Sequence, residues 1–178
     1  MLEAVANKNL RVVFLETSGS WLIPKNQRES SRAVSGALME AFPKQASFIS
    51  DRLEARLARI EALEKECLAI LAPVQGKGVL VAGMQAEFVV WAGLHVLQQY
   101  GRAEDLSAGA LAQTLRAVQG RQVSGVIDNK QSGSEAGLPL ALELQVPHVV
   151  LSNFPGSSPN VPDYFSLMRA NVQALSHL

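Results

Sequence analysis

The stretch from residue 44 to 72 constrains this chain more than any other. Leu53, Leu57, Ile60, Leu63, Cys67, Ile70 and Leu71 recur every three or four positions, the spacing that lays one apolar stripe along an α-helix. Arg52, Glu54, Arg56, Arg59, Glu61 and Lys65 fill the other faces. Glu61 and Lys65 stand four apart with the acid first, the favourable order, for about 0.3–0.5 kcal/mol. At ~1.5 Å per residue a helix over 44–72 reaches about 40 Å. Pro73 and Gly76 end it. A helix so long in a chain of 178 residues is expected to bridge parts of a molecule rather than lie in one core.

Short apolar segments and helical periods alternate after it. "GVLVAG" (78–83), "VSGVID" (123–128) and "HVVLSN" (148–153) read as strands. Residues 85–100 read as a helix with Phe88, Trp91, Leu94, His95 and Gln98 along one side, stopped by Gly101. Ser107 is placed to cap the next helix, with Leu106 and Leu111 as a hydrophobic staple. Residues 134–144 read as a helix with Pro139 in its first turn. A closing helix follows Pro162, with Phe165, Met168, Val172 and Leu175 on its buried stripe. Before the long helix, "LRVVFLE" (10–16) reads as a strand, 17–24 as a loop and 26–42 as a helix ended by Pro43. Strands separated by helices make an α/β fold: a Rossmann-like parallel sheet flanked by helices, plus one long spine helix.

Composition narrows the function classes. The chain has 16 basic and 16 acidic residues, which argues against a nucleic-acid partner, since such proteins show a basic face. No apolar run approaches the ~20 residues that span a bilayer. "MLEAVANKNL" lacks the basic, apolar and small-residue order of a signal peptide. Cys67 is the only cysteine, so an intrachain disulfide and a cysteine-cluster metal site are both excluded.

In parallel sheets, ligands bind beyond the carboxyl ends of the strands. Here those ends carry Gly83, Met84 and Gln85, then Asp128, Asn129 and Lys130, then Ser152, Asn153 and Phe154. Asp128 is expected to be a solvated strand-end carboxylate near Asn153 and the backbone of 83–85. Either these polar clusters form a ligand site, or strands simply surface and turn there; both readings stand at this level. His95, His148 and His177 converge on nothing, and "QGKG" (75–78) is a turn rather than a phosphate loop. Trp91 and Phe88 read as helix packing, and Cys67 belongs to the long helix's apolar stripe. No catalytic residue, metal ligand or cofactor is assigned.

Three features together suggest a relationship: "YG" at 100–101, "DNKQSG" followed by "LALEL" within 128–144, and Tyr164, Met168, Asn171 and Leu175 in the closing helix. With the order of elements, they make residues 10–178 resemble the latter part of the periplasmic zinc/manganese solute-binding proteins of metal ABC transporters. The resemblance implies two α/β lobes joined by a spine helix, with the solute held between them. Residues 1–43 would then be the remnant of the first lobe and a linker, 44–72 the spine and 73–178 the C-terminal lobe. It implies transport rather than catalysis, an ABC permease as partner, a small solute or metal ion as cargo, and a periplasmic or membrane-anchored extracytoplasmic location.

The ligand positions implied by the resemblance fall on Ser20, where the family has a histidine before an aromatic, and on Met84 or Gln85, where it has another. A family carboxylate falls on Asp128 or Asn129, and a family aspartate on Asn153. Neutral amides and a thioether do not replace imidazole and carboxylate for zinc, so tight zinc or manganese binding is not expected. Two other readings remain: a doubly wound enzyme using Asp128, and an interaction domain without a small ligand. An N-terminal segment that has lost its sheet neighbours would favour a homodimer in which residues 10–42 contact a second copy.

Overall fold

Pro24 opens the first described helix, where a missing N–H removes no hydrogen bond. A computed structural model of the chain describes residues 12–14 and 19–178. Helix α1 (Pro24–Ala41) ends at Phe42, and a single tight turn over Pro43–Gln45 leads into α2 (Ala46–Leu71), 26 residues long. The two helices pack along each other, tied by Arg28 Nη1 donating to Glu64 Oε2 at 2.5 Å. The apolar stripe of α2 sinks into the core only from its midpoint. Ile60, Leu63, Cys67 and Leu71 are buried, whereas Leu53 and Leu57 are half-buried. Burial also pushes the Cys67 thiol up to about 11, so it stays protonated within the core.

The strands β1 (Gly78–Ala82), β2 (His95–Tyr100), β3 (Gly125–Asn129) and β4 (His148–Leu151) form one sheet in the order β2-β1-β3-β4. Every pairing is parallel, as the alternation of strands and helices predicts. β2 is a correction. The apolar spacing over 85–100 predicts one helix, but α3 (Ala86–Trp91) lasts six residues. Gly93 then takes φ +85°, with Gly93 N–H donating to the Val90 carbonyl at 3.0 Å and Leu94 N–H to that of Val89 at 3.2 Å. That left-handed glycine turn is a helix stop. Beyond it the chain extends and pairs with β1 instead of continuing as a helix.

The strand expected over 10–16 lies mostly outside the described residues. Val12, Val13 and Phe14, which are described, carry no regular structure and are exposed. The remaining helices follow the sequence pattern: α4 (Ala108–Ala117) starts where expected, and α5 (Leu138–Leu144) and α6 (Tyr164–Leu175) start later. Ser107 caps α4 by accepting from Ala110 N–H. Asp163 and Ser166 close a reciprocal capping box on α6.

Side chains alternate across the sheet and make two cores. Val79, Val81, Ile127, Val149 and Leu151 pack with α2, α3 and α6. Leu80, Ala82, Val126 and Tyr100 pack on the opposite face with Leu140 and Ala141 of α5 and Val118 after α4. The period of two in a strand sets this division. It also decides which way each polar residue at the end of β3 faces.

Candidate functional site

The carboxyl ends of β1, β3 and β4 open onto a cleft, as the parallel topology requires. One part of it, about 380 Å³, lies between the Gly19–Leu22 loop, the Gly83–Gln85 turn after β1 and Asn153–Phe154 after β4. A second part, about 420 Å³, shares Met84, Asn153 and Phe154 with the first and extends over Asn129 and Gln131 to Arg102 and Glu104. Trp21, Met84 and Phe154 are exposed, each at least half open to solvent. The cleft therefore has an apolar rim and a polar floor.

The floor is a network of neutral side chains. Gln85, fully buried in the turn after β1, donates from Nε2 to Asn153 Oδ1 at 2.9 Å. Gln131 accepts from Asn153 N–H at 3.0 Å and donates to Ser152 Oγ at 2.8 Å. Asn129 Oδ1 accepts from the N–H groups of Gln131 and Ser132 at 2.8 and 3.1 Å, folding the chain back on itself after β3. Among the described residues, Gln85 Oε1 and Asn129 Nδ2 are buried without a hydrogen-bond partner. Buried polar atoms are nearly always paired, so one acceptor and one donor near the floor remain available for hydrogen bonding.

Of the expected site residues, the structure brings Ser20, Met84, Asn129 and Asn153 to the cleft, with Gln85 beneath Asn153. Asp128 stands apart. It is fully buried and belongs to the α5 side of the sheet with Val126, so the expectation of a solvated carboxylate is corrected. Its Oδ1 lies 2.7 Å from Tyr100 Oη. Gly137 N–H donates to Oδ1 at 3.1 Å and to Oδ2 at 2.9 Å. His148 Nε2, which carries a proton to face a carboxylate, reaches Oδ2 at 2.7 Å. Tyr100 Oη also lies 2.8 Å from the Ile127 carbonyl, so its one proton is shared between two acceptors. Burial first, then the charge of Asp128, push the Tyr100 hydroxyl well above the usual phenol range. This is a closed structural cluster with every carboxylate oxygen occupied.

Several residues of the site carry no sequence signal strong enough to find them. Tyr100 and His148 meet Asp128 only because β2 and β4 flank the β1–β3 pair. Glu87, in the first turn of α3, is a carboxylate that lines the first part of the cleft, and its Oε2 accepts from Ser20 N–H at 2.5 Å. Gln131 lies in "DNKQSG", where its polarity alone does not distinguish it from its neighbours. Among the described residues no group of three or more histidine, cysteine, aspartate or glutamate side chains is placed to hold a metal ion.

A parallel sheet covered on both faces, with a long helix packed on one of them and a cleft at the strand ends, defines an α/β lobe. The chain belongs to the ZnuA family, described as zinc-uptake complex component A, periplasmic, whose family pattern matches residues 16–178. That family is one of transport components, not a class of enzymes. The fold is similar to a crystal structure of ZnuA, at 22% identity and TM-score 0.70, covering 88% of this chain and 60% of that one. It is also similar to the solute-binding protein FpvC of P. aeruginosa in complex with Ni2+, at 17% identity and TM-score 0.72, with 88% and 60% covered. A Mn-bound periplasmic metal-binding protein from Candidatus Liberibacter asiaticus matches at 12% identity and TM-score 0.71, with 90% and 62% covered. The chain thus spans about 60% of the length of the structures it matches. No curated protein matches it.

Proposed function

We propose that this chain is the spine and C-terminal lobe of a solute-binding component of an ABC importer, with residues 19–43 joining it to a first lobe. The solute would sit in the strand-end cleft and be presented to a membrane permease from an extracytoplasmic location. The observation that carries this reading is the meeting of the Gly19–Leu22 loop, Met84 and Asn153 around one cleft, within a chain whose family match runs from residue 16 to 178. The binding residues would be Ser20, Met84, Asn129 and Asn153, held from beneath by Gln85.

The donor set argues against a bare zinc or manganese ion as cargo of this chain. Met84 offers a thioether, Ser20 a hydroxyl, and Asn129, Gln85 and Asn153 neutral amides; Glu87 is one carboxylate already bonded to Ser20 N–H. Zinc sites use imidazole, thiolate or carboxylate ligands in number. The unpaired Gln85 Oε1 and Asn129 Nδ2 support recognition of an uncharged hydrogen-bonding group instead. Isothermal titration with zinc and with manganese is expected to show no submicromolar binding. Scanning fluorimetry against a panel of polar solutes and metal chelates is expected to give at least one hit, since a ligand at 100 times its Kd stabilises by about 2.7 kcal/mol. Submicromolar zinc at one equivalent would overturn the donor argument. Turnover of any panel compound would replace the transport reading with an enzymatic one.

A further inference from the structure

Helices α1 and α2 flank a separate open recess of about 260 Å³, lined by Gln27, Ser30, Ser31, Val34 and Ser35 of α1, Arg56 of α2, and Trp21. The guanidinium of Arg56 is held in a fixed plane. Nε donates to Ser31 Oγ at 2.9 Å, Nη2 donates to Gln27 Oε1 at 3.0 Å, and the Phe165 ring lies 5.7 Å from its central carbon. Both acceptors are neutral. Neighbouring Arg28 has Glu64 as counter-charge, but among the described residues no carboxylate pairs with Arg56, whose hydrogen bonds run from Nε and Nη2. Ser30 is 2% exposed, and its Oγ has no hydrogen-bond partner among the described residues. A fixed cation with open donors therefore shares a recess with a buried hydroxyl that nothing satisfies.

We propose that this recess is a binding site for a small carboxylate anion, separate from the strand-end cleft. The planar guanidinium fork matches a planar carboxylate. Ser30 Oγ–H supplies a further donor from the opposite wall. The recess holds a group of a few heavy atoms, and its serines can turn their hydroxyl protons toward an anion at little cost.

The full chain carries two tryptophans, Trp21 and Trp91, so Trp91→Phe leaves Trp21 as the only indole reporter. Titration of this variant with sodium acetate, against sodium chloride at matched ionic strength, is expected to give a saturable change in Trp21 fluorescence with acetate alone. Arg56→Gln in the same background is expected to weaken the acetate midpoint at least about ten-fold, and Ser30→Ala about three- to ten-fold. Arg116→Gln, a control on α4, is expected to leave the midpoint unchanged. Superimposed acetate and chloride curves would overturn the proposal, as would an Arg56→Gln midpoint equal to that of the parent. Sulfate as effective as acetate would overturn the choice of a planar anion. If Arg56→Gln loses its near-ultraviolet circular dichroism, Ser30→Ala decides, and an unchanged midpoint there counts against the site.

Discussion

Asp128 and Asn129 are neighbours on one strand and do opposite things. Asp128 turns to the α5 face, where a tyrosine, a histidine and a backbone N–H occupy both its oxygens. Asn129 turns to the other face, lines the cleft, and keeps one amide nitrogen unpaired. A one-residue step along β3 thus separates a closed polar cluster from an open one. The charged residue is the structural one, and the neutral residue is at the candidate site. Charge in a strand-end motif is therefore a poor guide to function unless the face is known.

The largest expected effect tests the closed side. Asp128→Ala leaves Gly137 N–H and His148 without their acceptor in a buried site and Tyr100 Oη with the Ile127 carbonyl alone, and is expected to lose about 3–5 kcal/mol in urea unfolding. Asp128→Asn keeps an acceptor for Gly137 and Tyr100 and is expected to lose less. If Asn129→Ala proves as damaging as Asp128→Ala, the contrast between the two faces is wrong.

Next in size is Gly137→Ala. A Cβ there would run into Tyr100 Oη and a Val126 methyl, so about 1–3 kcal/mol is expected from overpacking. The change touches only the closed cluster, so solute binding in the cleft is expected to survive it. A variant of normal stability would show that the Tyr100–Asp128 contact is loose.

A smaller effect belongs to the cap of α6, beyond the open side. Asp163→Ala is expected to lose about 1 kcal/mol. The Ser166 backbone N–H, then its hydroxyl, hold the Asp163 carboxyl below its usual range. A lowered folded pKa means the contribution is complete above the ordinary carboxylate pKa and fades as pH falls through the lowered value. The stability gap between parent and variant should therefore narrow in acid, which thermal melts at pH 6 and pH 3 would check. A gap that widens in acid would reverse the sign.

The smallest effect sharpens the open side. Met84 is exposed on the cleft rim, so Met84→Ala is expected to change stability by no more than about 0.5 kcal/mol while weakening any solute found by fluorimetry. Unchanged affinity would remove Met84 from the site.

How much of this is legible in the sequence depends on how local the signal is. The spine helix, the caps at Ser107 and the three apolar strands rest on spacing within one segment, and all are present. The strand-end cleft follows from topology, so the positions of Met84 and Asn153 were readable before any contact was seen. The orientation of Asp128 is in principle readable too, because a period of two places it beside Val126 rather than Ile127. β2 is different. Phe88, Trp91 and Leu94 keep a helical spacing that runs past Gly93, the glycine that stops the helix, and the pairing that makes His95–Tyr100 a strand lies in β1, seventeen to eighteen residues away in register. The partners of Asp128 come from β2, β4 and the turn before α5, so no window of sequence contains them.

One long-range bond sets an order of assembly. Tyr164 Oη donates to the carbonyl of Leu22 at 3.2 Å across 142 residues of chain. Leu22 ends the loop that carries Ser20 and Trp21, so that wall of the cleft is anchored by a helix that follows all four strands in the chain. Closing so large a loop is entropically expensive and comes late when local contacts form first. During synthesis the spine and sheet can assemble while this wall is still free, and a nascent chain halted before α6 would have strand ends but no completed cleft. Completion of the cleft is then coupled to the docking of α6 rather than to the folding of the sheet.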